Sequence, residues 1–312
     1  MKLNVVLIDC HDLGDWLGCY GRDWIRTPNI DRLAKEGACF ENYFAPSPQC
    51  IPSRMGIYCS RYAHTHNVYG QMPPAGDPPL FMAQHFLQNG YQTILSNHLK
   101  VPVTPEQAGF HIQTLTSLIM PGTAQEFFEQ TKSSSQPFFI HFSFSLIHRP
   151  FGQEFDVERL FTLPVPEVLP DTAITQHDLA TLAHQIEELD TAVGWILSAL
   201  DTMNLKDETI VIFTTDHGVA LARHKHTLYD TGLRTTLLVR SPSQIKSGLR
   251  SDTLLSSMGL FLTLCELTGI PIPNGIHGRS FKSLFDGETY QPDEAIFGSV
   301  SWTRRSRQLH YC

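Results

Sequence analysis

The chain has 312 residues, 42% of them hydrophobic and 17% charged, and its 23 Lys and Arg against 31 Asp and Glu give a formal net charge of -8. That length accommodates one large domain or two small ones with a proper core, which excludes a disordered or collagen-like chain. An acidic chain without a concentrated basic patch repels a phosphate backbone, so no nucleic-acid partner is expected.

The first apolar run, MKLNVVLID, stops at Asp9. It is too brief for a signal peptide or a membrane span, so a soluble cytoplasmic chain with no membrane partner is expected. In chain order, the β-rich runs Leu3 to Asp9, Tyr91 to Leu95, Pro137 to Ser145, Thr209 to Thr214 and Thr235 to Arg240 predict strands. Between them, Thr27 to Gly37 predicts a helix with Thr27 as its cap, Pro28 in its first turn and Gly37 as its stop. The longest helix is predicted from about Thr175 to Asn204, with Leu179, Leu182, Ile186, Leu189, Val193, Ile196 and Leu200 on one stripe. Alternation of strands and helices predicts an α/β fold with a mostly parallel central sheet flanked by helices. Segments rich in Pro and Gly at Gln71 to Pro79, Pro164 to Pro170 and Pro271 to Gly278 predict surface loops. The seven cysteines (Cys10, Cys19, Cys39, Cys50, Cys59, Cys265, Cys312) are scattered and lack a CxxC pair. A reducing compartment fits that usage better than a disulfide framework or a zinc knuckle.

The runs LNVVLIDCHD, GYQTILSNHLK, FFIHFSFSLIH and TIVIFTTDHG all exit into His, Asp or Lys. Ligands of open α/β sheets bind beyond the carboxyl ends of the strands, so four segments are expected to deliver polar groups to one crevice. In SPQCIPSRMGIYCSR, Cys50 precedes Ser53 and Arg54 in what reads as the first turn of a helix. A helix N-terminus and a guanidinium together suit a sulfate or phosphate group. The same surroundings suit a low-pKa thiolate nucleophile, and a buried structural cysteine is the plainer alternative.

CIPSR at Cys50 to Arg54 resembles the CxPSR signature of the type I sulfatases, in the alkaline-phosphatase-like superfamily. LGCYG (Leu17 to Gly21), TPNIDRLAKEG (Thr27 to Gly37), GYQT (Gly90 to Thr93), HRPF (His148 to Phe151), FTTDHG (Phe213 to Gly218) and LYDTGLR (Leu228 to Arg234) follow in that family's order. The resemblance implies a three-layer α/β sandwich and a sulfuric ester hydrolase. It also implies that a formylglycine-generating enzyme oxidises Cys50 to formylglycine. One hydroxyl of the hydrated aldehyde then attacks sulfur, and the other collapses to expel sulfate. Arg54 is implied to hold the diol, and His98, Lys100, His148 and Lys225 to bind sulfate and move the proton. The implied metal ligands are His11, Asp12, Cys50, Asp216 and His217, holding one divalent ion, calcium foremost.

Three features depart from the family pattern. His11 stands where an Asp is usual, which leaves manganese, magnesium or zinc open as the ion. In GYxTxxxGKxH the Gly, Lys and His become Asn97, His98 and Lys100, an exchange of the two basic groups. The chain ends near FGSVSWTRRSRQLHYC, where relatives begin a smaller subdomain. The resemblance thus divides it into a catalytic domain over 1–278 and the start of a truncated subdomain over 279–312. The pattern leans to the sulfamidase and heparan-sulfatase branch, with a sulfated small molecule or carbohydrate as substrate. A phosphonate or phosphate monoester hydrolase of the same superfamily, and a catalytically impaired sulfatase-like binder, are the alternatives.

Overall fold

A computed structural model describes residues 2–70, 76–114, 120–131, 134–151, 163–241, 244–288 and 290–301. Among the described residues nine strands form one sheet: β1 (Asn4–Cys10), β2 (Ala38–Phe44), β3 (Gln92–Ser96), β4 (Ile112–Thr114), β5 (Phe138–Phe144), β6 (Thr209–Thr215), β7 (Arg234–Arg240), β8 (Leu249–Ser251) and β9 (Leu255–Ser256). Their order is β4-β3-β5-β1-β6-β7-β2-β8, with β9 also paired to β2. From β4 to β6 every pairing is parallel, so the carboxyl ends of β3, β5, β1 and β6 open on one edge. β7 runs antiparallel to both β6 and β2. The predicted strands fall within a residue or two of the observed ones; β2, whose apolar run is broken by Glu41 and Asn42, went unpredicted, as did the short β4, β8 and β9.

Helices cover both faces, which is why the central strands read as continuous apolar runs. Val6 and Ile8 face α1 (Pro28–Glu36) and the core residues of α5 (Pro121–Glu129) and α6 (Ala173–Thr202). Val5 and Leu7 face a second core built with α2 (Cys50–Cys59), α4 (Met82–Gln88), α8 (Leu260–Thr268) and Phe285 of α9 (Ser283–Asp286). Two short helices, α3 (Ala63–His66) and α7 (Asp230–Leu233), link these elements near the open edge. The predicted stripe of α6 is buried throughout, and truncating one of its members, such as Ile186, to Ala removes roughly 2–5 kcal/mol. Among the described residues no helix is long and apolar enough to cross a membrane.

The start of α1 differs from expectation. Thr27 makes no capping bond; its hydroxyl accepts from the Gly18 N–H and donates to Asp31. The first-turn N–H groups of Asn29 and Ile30 instead donate to the carboxylate of Asp190, buried on α6. A long-range cap substitutes for a local one because α6 crosses that helix end. The predicted loop at Gln71–Pro79 lies mostly outside the described residues, as does the chain beyond residue 301, including Cys312.

Candidate active site

The open edge of the sheet gathers its chemistry by chain geometry. β1 ends at Cys10 and delivers His11 and Asp12; β6 ends at Thr215 and delivers Asp216 and His217. Asp12 adopts φ 51°, which turns its backbone N–H onto Asp216 Oδ1 at 2.9 Å. Gly218 lets that turn close: a Cβ there would lie 1.9 Å from the carbonyl oxygen of Thr231, a separation no side chain tolerates.

Beneath the turn lies Arg54, fully buried on α2. Its Nη1 donates to Asp9 Oδ2 at 2.7 Å and to the Tyr58 hydroxyl at 2.8 Å. Its Nη2 reaches the Cys10 carbonyl at 3.1 Å and its Nε reaches Asp216 Oδ2 at 3.2 Å. Asp9 also accepts from Tyr58 and lies 3.1 Å from His141 Nε2. Burial alone would raise the Asp9 carboxyl, but Arg54, His141 and the Tyr58 hydrogen bond outweigh it and hold the acid well below the usual carboxylate range. Asp9 is thereby engaged beneath the site through Oδ2, turned to Arg54, Tyr58 and His141, while its buried Oδ1 has no hydrogen-bond partner among the described residues.

Cys50 opens α2, with Gln49 as the N-cap position and Pro52 and Ser53 buried behind it. Its Sγ lies 3.2 Å from His217 Nε2 and 3.9 Å from Asp12 Oδ1. The donor atoms of His11, Asp12, Cys50 and Asp216 all lie within 4.8 Å of one another, and so do those of His11, Cys50 and His148. Such a group can hold a metal ion. Burial and the Asp216 carboxylate oppose ionisation of Cys50, yet hydrogen bonds from His11, His148 and His217 hold the thiol down at about 3. The two carboxylates diverge: burial pushes Asp12 up, whereas His217, Arg54 and His11 overcome burial and hold Asp216 well below its usual range. Burial opposes protonation of His217, but the Asp216 charge and Cys50 raise it to about 9.

Lys225 arrives on the loop after β6, its backbone N–H bound to the Val219 carbonyl at 3.1 Å. Its Nζ donates to both oxygens of Asp12, at 2.9 and 2.7 Å. Above the cluster is an open cavity of about 570 Å³, lined among others by His11, Cys50, Tyr69, Lys100, His148 and Arg149. His148 is exposed at its mouth, with its ring centroid 5.1 Å from that of His11. Arg149, at the cavity wall, is held in a bidentate pair with Asp178, one arm at 2.6 Å. After β3 the chain turns at Asn97, whose φ of 71° suits a Gly or Asn, and again at Lys100, φ 58°. Lys100 lines the cavity; His98 is exposed and is not among its lining residues. Of the two basic groups expected after β3, Lys100 borders the cavity and His98 does not.

Sequence reasoning missed the supports of Arg54. Tyr58 lies one helical turn beyond Arg54, and His141 interrupts the apolar run FFIHFSF at a position that faces Leu7 across the sheet. A titratable residue inside a buried strand was the signal available.

The sulfatase family model matches residues 3–270. The chain is 27% identical over 310 residues to an ulvan-active sulfatase of Formosa agariphila, covering 95% of this chain and 60% of that protein. It is 26% identical over 349 residues to human N-sulphoglucosamine sulphohydrolase, covering 96% of this chain and 68% of the other. The phosphonate monoester hydrolase SpPMH of Silicibacter pomeroyi has the same fold, with TM-score 0.78 and 19% identity over 95% of this chain and 78% of that one. This chain thus spans less than two thirds of the Formosa relative. With the match extending from β1 through α8 and the site assembled at the strand ends, the chain belongs to the sulfatase family.

Proposed function

We propose that this protein hydrolyses a sulfate ester or an N-sulfonate on a carbohydrate, using a formylglycine made from Cys50 and one divalent cation. The observation that carries the reading is the convergence of Cys50, at the first turn of α2, with His11, Asp12 and Asp216 beside an open cavity. The names of the ulvan-active and N-sulphoglucosamine relatives support a sulfated carbohydrate as substrate. A formylglycine-generating enzyme is the implied partner, and residues 1–278 form the catalytic domain, with 279–312 beginning a smaller subdomain.

The donor set fits a divalent cation: His11 Nδ1 is buried with no hydrogen-bond partner among the described residues and faces Asp216 Oδ2 at 3.1 Å. His11, Asp12, residue 50, Asp216 and His217 would hold the ion. When bound, it supplies Lewis-acid polarisation of the oxygen nucleophile and of the sulfate. Arg54 holds Asp216 and Asp9 in place and offsets charge developing at residue 50. Lys225 and Lys100 provide positive charge for the sulfate oxygens, Lys100 rather than His98 because it borders the cavity. His148, at the cavity mouth, donates the proton to the departing alcohol.

The test is co-expression with a formylglycine-generating enzyme, followed by intact mass and rates on paired aryl sulfate and aryl phosphate substrates. A loss of about 18 Da at Cys50, the difference between a thiol and an aldehyde, together with faster sulfate turnover is expected. Phosphate turnover far above sulfate turnover would replace the reading with a phosphate or phosphonate esterase. An unchanged thiol and no turnover would leave a binder.

A further inference from the structure

The chemistry of the donors around His11 points to more than a generic cation site. Calcium takes six to eight oxygen ligands, and imidazole nitrogen is not among those it favours. Here the oxygens are few and already engaged. Asp216 Oδ1 accepts the backbone N–H groups of Asp12 and His217, both at 2.9 Å, and Asp216 Oδ2 accepts from Arg54. Both oxygens of Asp12 are held by Lys225.

Nitrogen donors, by contrast, are in place. His11 Nδ1 is buried and, among the described residues, has no hydrogen-bond partner of good geometry, although it lies 3.1 Å from Asp216 Oδ2. His217 Nδ1 lies 2.9 Å from the Gly218 carbonyl, so that nitrogen carries the proton. Its other nitrogen, Nε2, is turned toward Asp12 Oδ1, 3.4 Å away, and Asp216 Oδ2, 3.7 Å away, where a bound ion would take the place of its proton. A backbone carbonyl that fixes the tautomer is the support a metal-binding imidazole requires. The spacing also suits a small ion. Adjacent ligands at bond lengths of about 2.1 Å lie roughly 3.0 Å apart in an octahedral set and roughly 3.4 Å apart in a tetrahedral one, and His11 Nδ1 and Asp216 Oδ2 are 3.1 Å apart.

We infer that this site selects a borderline transition ion of the manganese and zinc class over calcium, and that His11 is the residue that sets the preference. The inference rests on the divalent-cation reading above but not on turnover, so the two fail separately. It is tested by binding. The full chain carrying Cys50→Ser, which keeps an oxygen at residue 50 and removes the soft thiolate, is stripped with chelator and equilibrated with Zn²⁺, Mn²⁺ and Ca²⁺ in competition. Bound metal is measured by elemental analysis and each ion's effect on the melting temperature is recorded.

Zn²⁺ and Mn²⁺ are expected to bind at least about 100-fold more tightly than Ca²⁺, and adding His11→Asp should narrow that ratio by about tenfold or more. If His11→Asp does not fold, His11→Asn, an uncharged oxygen donor of similar reach, should narrow it in the same direction. Calcium bound as tightly as manganese in the His11 protein, or a ratio unchanged by either replacement, overturns the inference. Calcium preference with sulfate turnover intact would leave the sulfatase reading standing. Transition-ion preference without any sulfate turnover by the formylglycine form would overturn only that reading, and absence of any metal binding would overturn both.

Discussion

Replacing Arg54 by Met tests whether the floor of the site is held together by charge. The guanidinium is 1% exposed and its two carboxylate partners, Asp9 and Asp216, are 5% and 1% exposed, so water replaces none of the lost interactions. Breaking a buried pair from one side costs about 3–5 kcal/mol. Asp9 keeps Tyr58 and His141, and Asp216 keeps two backbone N–H groups and His11, so the expected loss is about 4 kcal/mol rather than twice that. At roughly 2 °C per kcal/mol for a chain of this size, the melting temperature should fall by about 8 °C.

The pH dependence carries a sign. In the native protein the Asp9 pKa is depressed, so its contribution to stability is present above the unfolded value near 3.8 and is lost as pH falls below it. Without Arg54, burial dominates and the folded pKa rises above the unfolded one, so the variant gains stability as pH falls through that raised value. The gap between native and Arg54→Met should therefore be wider at pH 8 than at pH 5, as read by thermal melts at both. Adding Asp9→Asn to Arg54→Met should recover about 1–2 kcal/mol at pH 8, because it removes the stranded charge. A loss under about 1 kcal/mol, equal at both pH values and unrelieved by Asp9→Asn, would refute the account.

Glu36 is held down to about 2: partial burial opposes its charge, but hydrogen bonds from Arg32, Lys206 and Arg240 outweigh it. Because Arg240 is fully buried, Glu36→Gln should cost about 2 kcal/mol at pH 7 after discounting the solvent-screened partners. Its folded pKa is depressed, so that contribution persists above 4.5 and fades as pH falls toward 2; melts at pH 7 and pH 3 should show the difference closing. Gly218→Ala should destabilise by about 1–3 kcal/mol, since its Cβ would press on the Thr231 carbonyl, and denaturant titration should show a lower midpoint at unchanged slope. Lys225→Ala should lower the kcat for aryl sulfate by about 10²- to 10³-fold and, because its side chain is only 13% exposed and pairs with the fully buried Asp12, should also lower stability by about 3 kcal/mol. Equal kcat values for the two proteins would remove Lys225 from the machinery.

The sequence by itself determined the α/β class, the central strands, the stripe of α6, and the segments that carry the site. These rest on local signals: β-branched runs between helices, apolar spacing of three and four, and short motifs at strand ends. Only the tertiary structure decided how those segments are held. The cap of α1 comes from Asp190, 161 residues from Asn29, and no local pattern encodes a carboxylate that arrives by packing. β2 was hidden because Glu41 and Asn42 interrupt its apolar run, while its pairing with β7 and β8 supplies the backbone bonds that propensity does not. The sequence shows His98 and Lys100 as an exchange of two basic groups, and only the folded chain shows that Lys100 borders the cavity and His98 does not. The chain shows which groups are available; their orientation follows from dihedral angles and from neighbours more than a hundred residues away, as the bond of Lys225 to Asp12 illustrates.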